Sequence, residues 1–270
     1  MTGVDEAETI AAEPSDEAPR VVRFPNESRS YREARDHLLE SEIALRRQME
    51  AVAEERRALP PGGELAEDYV FDGLLPDGTS GKVPLSGMFL PGHRSLAIYS
   101  FMFPRYPTDT RPGPTTGTTA DLPLEEGPCP SCTAILDQLD SVLPHSDQRM
   151  SLIAVANAPL PRVLNFARER GWRHLRLFST AGNGYNRDYF GQSVEGYSQP
   201  MINVFQKDGD VIRHFWGSEM LYAPTDPGQD PRHAGTIEPL WTLFDLTREG
   251  RPEWDEQLDY SCCHANRAQS

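Results

Sequence analysis

Two cysteines separated by two residues, Cys129 and Cys132, carry the strongest chemical signal in the sequence. They enclose Pro130 and Ser131 and stand directly before an apolar stretch with helical spacing. Cys129 is therefore predicted at a helix N-terminus, where free N–H groups and partial positive charge stabilise a thiolate, and we expect it to face solvent. Its attack on a disulfide would give a mixed disulfide that Cys132 resolves. The motif predicts thiol–disulfide redox chemistry.

The same cysteine pair is also typical of one half of a zinc or copper site. The other half would come from Cys262, Cys263 and His264 near the C-terminus. Adjacent cysteines fit poorly into one tetrahedral site because the backbone turns their side chains apart, but either of them could act with His264. A third interpretation is an interaction module whose thiols are inert. For the redox interpretation we expect no cofactor.

Composition narrows the classes of partner. The 270 residues carry 26 Lys+Arg and 41 Asp+Glu, a formal net charge of −15. Binding to nucleic acid or to anionic lipid needs a surplus of positive charge, so we expect neither. No apolar run approaches the length of about 18 residues that a membrane span requires. The chain starts without the basic and apolar pattern of a secretory signal, so a cytoplasmic location is expected.

The motif lies within an alternation of predicted strands and helices. The apolar run Ser95–Phe103 predicts a strand covered on both faces, and the Pro-, Thr- and Gly-rich residues 104–128 predict a mobile loop before the motif. A helix follows at Thr133–Leu143. Further strands are predicted at Ser151–Asn157, Leu175–Phe178, Met201–Phe205 and Val211–Trp216, and further helices at Pro161–Arg170 and Thr236–Leu246. This order predicts an α/β fold with an antiparallel edge.

The two ends of the chain differ from this central part. Residues 1–27 are acidic and are predicted to form a disordered tail. Residues 28–63 contain a helix over Ser30–Leu59, with Ser30 and Glu33 as a capping box and an apolar residue at every seventh position. That helix would pack on the domain or against a second copy of the chain, giving a homodimer. The domain is predicted at 64–252, with a tail at 253–270.

Several segments together resemble a known family. They include EERRALP at 54–60, GPCPSC at 127–132, NRDYFG at 186–191 and NVFQKDGDVIRHFW at 203–216. The chain resembles an uncharacterised bacterial family of thioredoxin-like proteins that carries a domain of unknown function. That family is grouped with the alkyl hydroperoxide reductase and thiol-specific antioxidant proteins. The resemblance implies a thioredoxin-like fold, with a central mixed sheet flanked by helices and an extra N-terminal helix.

The resemblance also implies roles for individual residues. Pro200, before a strand, takes the place of a cis proline that faces the two cysteines and holds a substrate backbone, with Gln199 beside it. Asn186 and Asp188 belong to a family motif; they would either line a cleft and bind substrate or satisfy the backbone of a turn. Pro130 and Ser131, between the cysteines, are expected to contact the substrate. The expected substrate is a small molecule or a protein that contains a disulfide or a thiol.

Two acidic residues before the motif bear on the type of redox chemistry. Glu126 stands three residues before Cys129, where peroxidases of the related group carry Thr or Ser, and this disfavours a peroxidase. Glu125 and Glu126 are also expected to raise the pKa of a nearby thiol by charge repulsion.

Overall fold

The computed structural model describes residues 22–227 and 238–259, and the chain divides into two compact units, Met1–Ala58 and Leu59–Ser270. The first unit contains helix α1, Arg29–Arg57. Its N-cap is Ser28, whose hydroxyl accepts a hydrogen bond from the N–H of Tyr31 at 3.1 Å. The predicted cap at Ser30 was therefore wrong, because the helix begins one residue before that serine. Whether α1 packs on the domain or on a second copy stays a prediction.

In the described residues, the second unit is built on one seven-stranded sheet of order β2-β1-β5-β4-β3-β6-β7. Strand β3 is parallel to β4, and β4 is parallel to β5, while the remaining neighbours pair antiparallel. The strands are β1 Val70–Leu74, β2 Ser80–Pro84, β3 Ser95–Phe101, β4 Ser151–Ala156, β5 Leu177–Ser179, β6 Met201–Asp208 and β7 Val211–Gly217.

Four helices follow or separate these strands in the second unit as described. They are α2 Pro130–Ser146, α3 Leu160–Arg170, α4 Tyr185–Asp188 and α5 Pro239–Asp245. The chain runs β3-α2-β4-α3, adds β5 and α4, and ends in the β6–β7 hairpin and α5. The resulting central order β4-β3-β6-β7 confirms the predicted thioredoxin-like fold with a mixed sheet flanked by helices. No helix in the described residues is both long and apolar enough to cross a membrane.

Strand β3 forms the centre of the core, as its apolar run predicts. Alternate side chains of a strand point to opposite faces. Ile98 packs in a cluster with Phe205 on one face, and Phe101 packs in a second cluster with Leu136 of α2 on the other. Each fully buried side chain of this size stabilises the fold by about 1.5–3 kcal/mol. Both thiols of the motif belong to the second cluster.

The loop between β3 and α2 is organised around one buried arginine. The side chain of Arg105 is fully buried. The backbone N–H of the same residue donates to the carbonyl of Gly127 at 2.9 Å. Its guanidinium donates to the carbonyls of Arg111 at 2.5 Å and Pro128 at 2.7 Å. A mobile loop was expected here. Instead, Arg105 ties the two ends of the loop together and places Arg111 beside the motif.

The packed part of the second unit extends past residue 252. Leu258 is 2% exposed and lies in the same apolar cluster as the two thiols. Its carbonyl accepts a hydrogen bond from Arg170 at 2.6 Å, and Asp259 accepts one from the N–H of Thr115 at 2.7 Å. Residues 253–259 therefore lie against the domain, whereas a tail was predicted from 253 onward. Cys262, Cys263 and His264 lie outside the described residues.

Candidate redox site

The motif cysteines are placed by the start of α2. Cys129 is the N-cap residue, and its N–H donates to the carbonyl of Met102 at 2.9 Å, which ties it to the end of β3. Its own carbonyl accepts from the N–H of Thr133 at 3.0 Å and from the hydroxyl of the same residue at 2.8 Å. Pro130 follows at the first helical position, where a missing N–H costs nothing. These bonds set the Cys129 sulfur over the helix N-terminus.

Both thiols are free and buried. Cys129 is 0% exposed and Cys132 is 1% exposed, and no disulfide joins them. The expectation that Cys129 faces solvent was wrong. The motif lies between the apolar cluster, the loop that carries Arg111, and the C-terminal segment, and these together leave the sulfur no open surface. Any molecule that contacted the sulfur would have to displace part of this cover.

The pKa values of the two thiols move in opposite directions. The pKa of Cys129 is lowered by its interaction with Cys132 and by the nearby Arg111 guanidinium, against burial and the charge of Asp109. Arg111 Nη2 is 3.6 Å from Cys129 Sγ. The pKa of Cys132 is raised by its burial and by its hydrogen bond and charge interaction with Cys129. The geometry thus favours a thiolate at Cys129 and a protonated Cys132.

The charge next to Cys129 comes from a pair of loop residues. Asp109 holds the Arg111 guanidinium by two contacts, Nε to Oδ1 at 2.9 Å and Nη2 to Oδ2 at 2.8 Å. A carboxylate that grips two arms of a guanidinium fixes its orientation. Glu126, which was expected to raise the pKa of the thiol, forms an ion pair with Arg162 at 3.0 Å. The acidic residue whose charge raises the pKa of Cys129 is Asp109.

Ser131, between the two cysteines, connects the motif to the C-terminal segment. Its hydroxyl donates to Glu256 Oε2 at 2.7 Å and accepts from Arg111 Nη1 at 2.7 Å. Arg111 Nη1 also lies 3.4 Å from the same carboxylate oxygen. Glu256 is only 2% exposed, and its other oxygen, Oε1, has no hydrogen-bond partner among the described residues. One guanidinium therefore contacts a thiol and a buried carboxylate.

Two tyrosines lie close to Cys132. Burial and the interaction with Cys132 raise the pKa of Tyr99, whose hydroxyl has no oxygen or nitrogen partner in the described part of the chain. Burial and the charge of Cys132 raise the pKa of Tyr222 to about 12. Tyr222 also donates to the carbonyl of Pro200 at 2.6 Å. This bond joins Tyr222 to the backbone at Pro200.

The proline geometry differs from the one that the family resemblance implied. Among the described residues the cis peptide bond is Phe103–Pro104, and the Gln199–Pro200 bond is trans. The N–H of Gln199 donates to the carbonyl of Gly191 at 3.0 Å. Two backbone groups at this position therefore already have hydrogen-bond partners within the protein. The N–H of Gln199 is paired with Gly191, and the carbonyl of Pro200 is paired with Tyr222. The role of Pro200 in holding a substrate stays a prediction.

The other predicted site residues have partners away from the cysteines. Asn186 is buried and donates to a threonine hydroxyl at 2.7 Å. Asp188 accepts from the hydroxyl of Tyr69 at 2.8 Å and from Arg187. Asp188 also lines a cavity of about 930 Å³ together with Asn203, His214 and Tyr222. No contact joins Asn186 or Asp188 to the cysteine motif in the described residues.

The residues that sequence reasoning missed are charged groups around Cys129. Arg105, Asp109 and Arg111 belong to the loop, and Glu256 to the C-terminal segment. A sequence signal existed for the first three, since they are the charged residues of the otherwise uncharged stretch 104–120, directly after a buried strand. Glu256 is one of many acidic residues in the chain, and nothing in its neighbours distinguishes it.

The metal interpretation combines residues that the structure describes, Cys129 and Cys132, with residues after 259 that it does not describe. Within 22–227 and 238–259, no group of three or more His, Cys, Asp or Glu side chains is arranged to hold a metal ion. Its other ligands, Cys262, Cys263 and His264, lie outside those ranges. A zinc or copper site that uses them stays a prediction.

Comparison with solved structures gives distant similarities. The exposed lipoprotein thioredoxin of Streptococcus pneumoniae is 14% identical, with 67% of this chain and 100% of that chain covered and a TM-score of 0.33. A mutant of peroxiredoxin Q from Xanthomonas campestris is 16% identical, with 67% and 96% covered and a TM-score of 0.39. Thioredoxin peroxidase I from Plasmodium yoelii is 15% identical, with 73% and 99% covered and a TM-score of 0.37. No residue role is transferred from them.

Comparison of the sequence itself identifies a family. The model of a bacterial protein family of unknown function, DUF899, matches residues 21–266. No curated protein matches the sequence.

Proposed function

The chain belongs to the bacterial family of unknown function DUF899, and from the geometry of its site we propose that it is a thiol–disulfide oxidoreductase. The observation that carries the proposal is the asymmetry of the two thiols. The Cys129 sulfur lies 3.6 Å from an Arg111 guanidinium nitrogen and its pKa is lowered, while burial and the neighbouring Cys129 raise the pKa of Cys132. A reactive dithiol needs this division, since one sulfur must attack while the other waits.

The proposed reaction has two exchange steps. The Cys129 thiolate attacks one sulfur of a substrate disulfide, forms a mixed disulfide, and releases the other half as a thiolate that takes a proton from solvent. Cys132 then gives up its proton and attacks the Cys129 sulfur, which forms the Cys129–Cys132 disulfide and releases the second thiol. The substrate gains two electrons and two protons; the protein supplies both electrons and the Cys132 proton, and solvent supplies the second proton. A thiol-containing partner reverses these steps and restores the dithiol.

The positioning residues of the proposal follow from the same site. Ser131 is the residue between the cysteines whose hydroxyl faces outward to the C-terminal segment. Pro200 and Gln199 are proposed on the substrate side, supported by the link from Pro200 through Tyr222 to the surroundings of Cys132.

The test compares cysteine variants in disulfide reduction. Glutathione disulfide or insulin is incubated with the full chain and a reductant, and wild type is compared with Cys129→Ser and Cys132→Ser. Loss of Cys129 should abolish the activity. Cys132→Ser that is reduced beforehand and mixed with the disulfide in the absence of reductant should stop after one step and retain one equivalent of mixed disulfide on Cys129, visible by mass spectrometry. A variant with Cys262 and Cys263 both replaced by Ser serves as the control and should remain active. Equal rates for wild type and Cys129→Ser would refute the proposal.

Reduction of a hydroperoxide is a second candidate, favoured by the complete burial of Cys129. A small oxidant needs less displacement of the cover than a protein disulfide does. The Cys129 thiolate would attack the peroxide oxygen, break the O–O bond and become a sulfenic acid, and the leaving alkoxide or hydroxide would take a proton from solvent. Cys132 would then condense with the sulfenic acid, releasing water and forming the disulfide. Consumption of hydrogen peroxide by wild type but not by Cys129→Ser, without reduction of disulfides, would favour this candidate over the first.

A further inference from the structure

We propose that Arg111 and Ser131 form a carboxylate-binding subsite beside Cys129. In the structure the chain's own Glu256 occupies it, and a low-molecular-weight disulfide that bears a carboxylate would take its place. The inference deepens the proposed function and rests on it, because it names the substrate class of the same site.

The geometry places a carboxylate next to the reacting sulfur. Glu256 Oε2 accepts from the Ser131 hydroxyl at 2.7 Å and lies 3.4 Å from Arg111 Nη1. The other terminal nitrogen of the same guanidinium, Nη2, lies 3.6 Å from Cys129 Sγ. A guanidinium is a rigid planar fork, so a group bound at one arm stands at a defined place relative to the other arm. A substrate carboxylate at the Glu256 position would hold its disulfide near Cys129.

Glu256 has the features of an occupant that can be displaced. Its carboxylate is almost fully buried, yet Oε1 has no hydrogen-bond partner among the described residues, so only one of its two oxygens is satisfied. The segment around it, Glu253 to Gln257, lines a cavity of about 570 Å³ together with Arg111 and Pro112. Glu253, Trp254, Asp255 and Gln257 are themselves exposed.

Charge selects the class of ligand. With the segment in place, Glu253, Asp255 and Glu256 make this recess acidic. These acids all belong to the segment and leave with it. The loop then keeps two guanidinium groups, Arg105 and Arg111, against the one carboxylate of Asp109, so the charge left beside Cys129 and the Ser131 hydroxyl is positive. With the segment in place Cys129 has no open surface, so in this proposal the reacting form is the one without the segment, which presents that positive charge. An anionic disulfide should therefore be preferred over a cationic one.

The experiment uses two alkylating reagents that differ only in charge. Iodoacetate carries a carboxylate and iodoacetamide a neutral amide, and both react with the thiolate and release iodide. Their rates at Cys129 are measured in the full chain by peptide mass spectrometry, and their ratio is divided by the ratio for a free thiol such as N-acetylcysteine. The thiolate fraction cancels in this normalised ratio, so a change in the pKa of Cys129 does not affect it.

The variants distinguish binding of a carboxylate at the subsite from a nonspecific increase in access to Cys129. Glu256→Gln should raise the normalised ratio about tenfold over that of Glu253→Gln, a matched control that removes an exposed charge from the same segment. Adding Arg111→Met to Glu256→Gln should return the ratio to the free-thiol value. Glu256→Asp, which keeps the charge and shortens the side chain, should give a smaller rise and serves as the comparison if Glu256→Gln does not fold. A ratio in Glu256→Gln no higher than in Glu253→Gln, or no alkylation of Cys129 in either, overturns the proposal.

A turnover assay distinguishes failure of this inference from failure of the proposed function. Dithiodipropionate, which is anionic, and cystamine, which is cationic, are offered to Glu256→Gln as disulfide substrates. Faster reduction of dithiodipropionate supports the subsite. Reduction of both at equal rates that still requires Cys129 refutes the subsite and leaves the proposed function intact. A third outcome is that neither disulfide is reduced although iodoacetate is still preferred in the alkylation experiment. This outcome refutes the proposed function, and with it the proposal that the ligand is a disulfide.

Discussion

Replacing Arg111 by methionine should weaken Cys129 as a nucleophile at neutral pH. Methionine keeps much of the length of the side chain but removes the charge that lies 3.6 Å from the sulfur. The thiolate then loses an opposite charge, so the pKa of Cys129 rises. Because the reactive form is the thiolate, the rise of alkylation rate with pH moves to higher pH.

The magnitude follows from the distance and the surroundings. Two unit charges at 3.6 Å interact by about 5 kcal/mol at an effective dielectric of about 20, and by about 1 kcal/mol in water. The Arg111 side chain is 23% exposed and shares its charge with Asp109 and Glu256, so the net effect lies near the lower value. We expect about 1.4 kcal/mol, which corresponds to about a tenfold change.

The assay is the pH profile of Cys129 alkylation by iodoacetamide, read by peptide mass spectrometry. Each profile is divided by its own plateau, which removes differences in access. At pH values below the pKa of Cys129, Arg111→Met should react about tenfold more slowly than wild type. Arg111→Lys keeps the positive charge and should retain most of the rate. Asp109→Asn removes the charge that raises the pKa of Cys129 and should shift the profile to lower pH. Arg94→Met removes an exposed guanidinium that pairs with Asp208 at the opposite end of β3 from the thiols, and is the control. Superimposable profiles for wild type and Arg111→Met would refute the electrostatic reasoning.

Three further predictions concern the stability of the scaffold, each measured as the free energy of unfolding in urea. Leu136→Ala should lose about 2–5 kcal/mol because the side chain is completely buried, while Val194→Ala at a fully exposed position should stay within about 0.5 kcal/mol of wild type. Asp140→Asn should lose about 1–3 kcal/mol, because this carboxylate accepts hydrogen bonds from three consecutive backbone N–H groups before β5; an unchanged midpoint would contradict this. Gly191→Ala should lose about 1–3 kcal/mol, since its Cβ would come within 2.6 Å of two buried side-chain oxygens, and Gly182→Ala, with open space, should be tolerated.

Local patterns were sufficient to predict most of the fold. The uninterrupted apolar run in β3 can exist only where both faces are covered, and the run from Ser95 correctly indicated the central strand. The apolar spacing over Thr133–Leu143 correctly indicated helix α2, which extends three residues beyond that range at each end, to Pro130 and Ser146. The Asp-Gly turn signal at Gly209, which has a positive φ of 59°, likewise gives the β6–β7 hairpin. In each case the physical cause lies within a few residues of the chain.

The sequence by itself determined the chemical type of the site, a cysteine pair at a helix start in a thioredoxin-like order of strands. Only the tertiary structure decided its environment. Its environment depends on contacts between residues far apart in the chain. Arg111 contacts Cys129, 18 positions away, and Ser131, 20 positions away, and Glu256 contacts Ser131 over 125 positions. Arg105, buried at the base of the loop, sets the first of these contacts, and Leu258 in the core sets the last. Burial and long-range charge are properties of packing, so no local pattern around the cysteines encodes them.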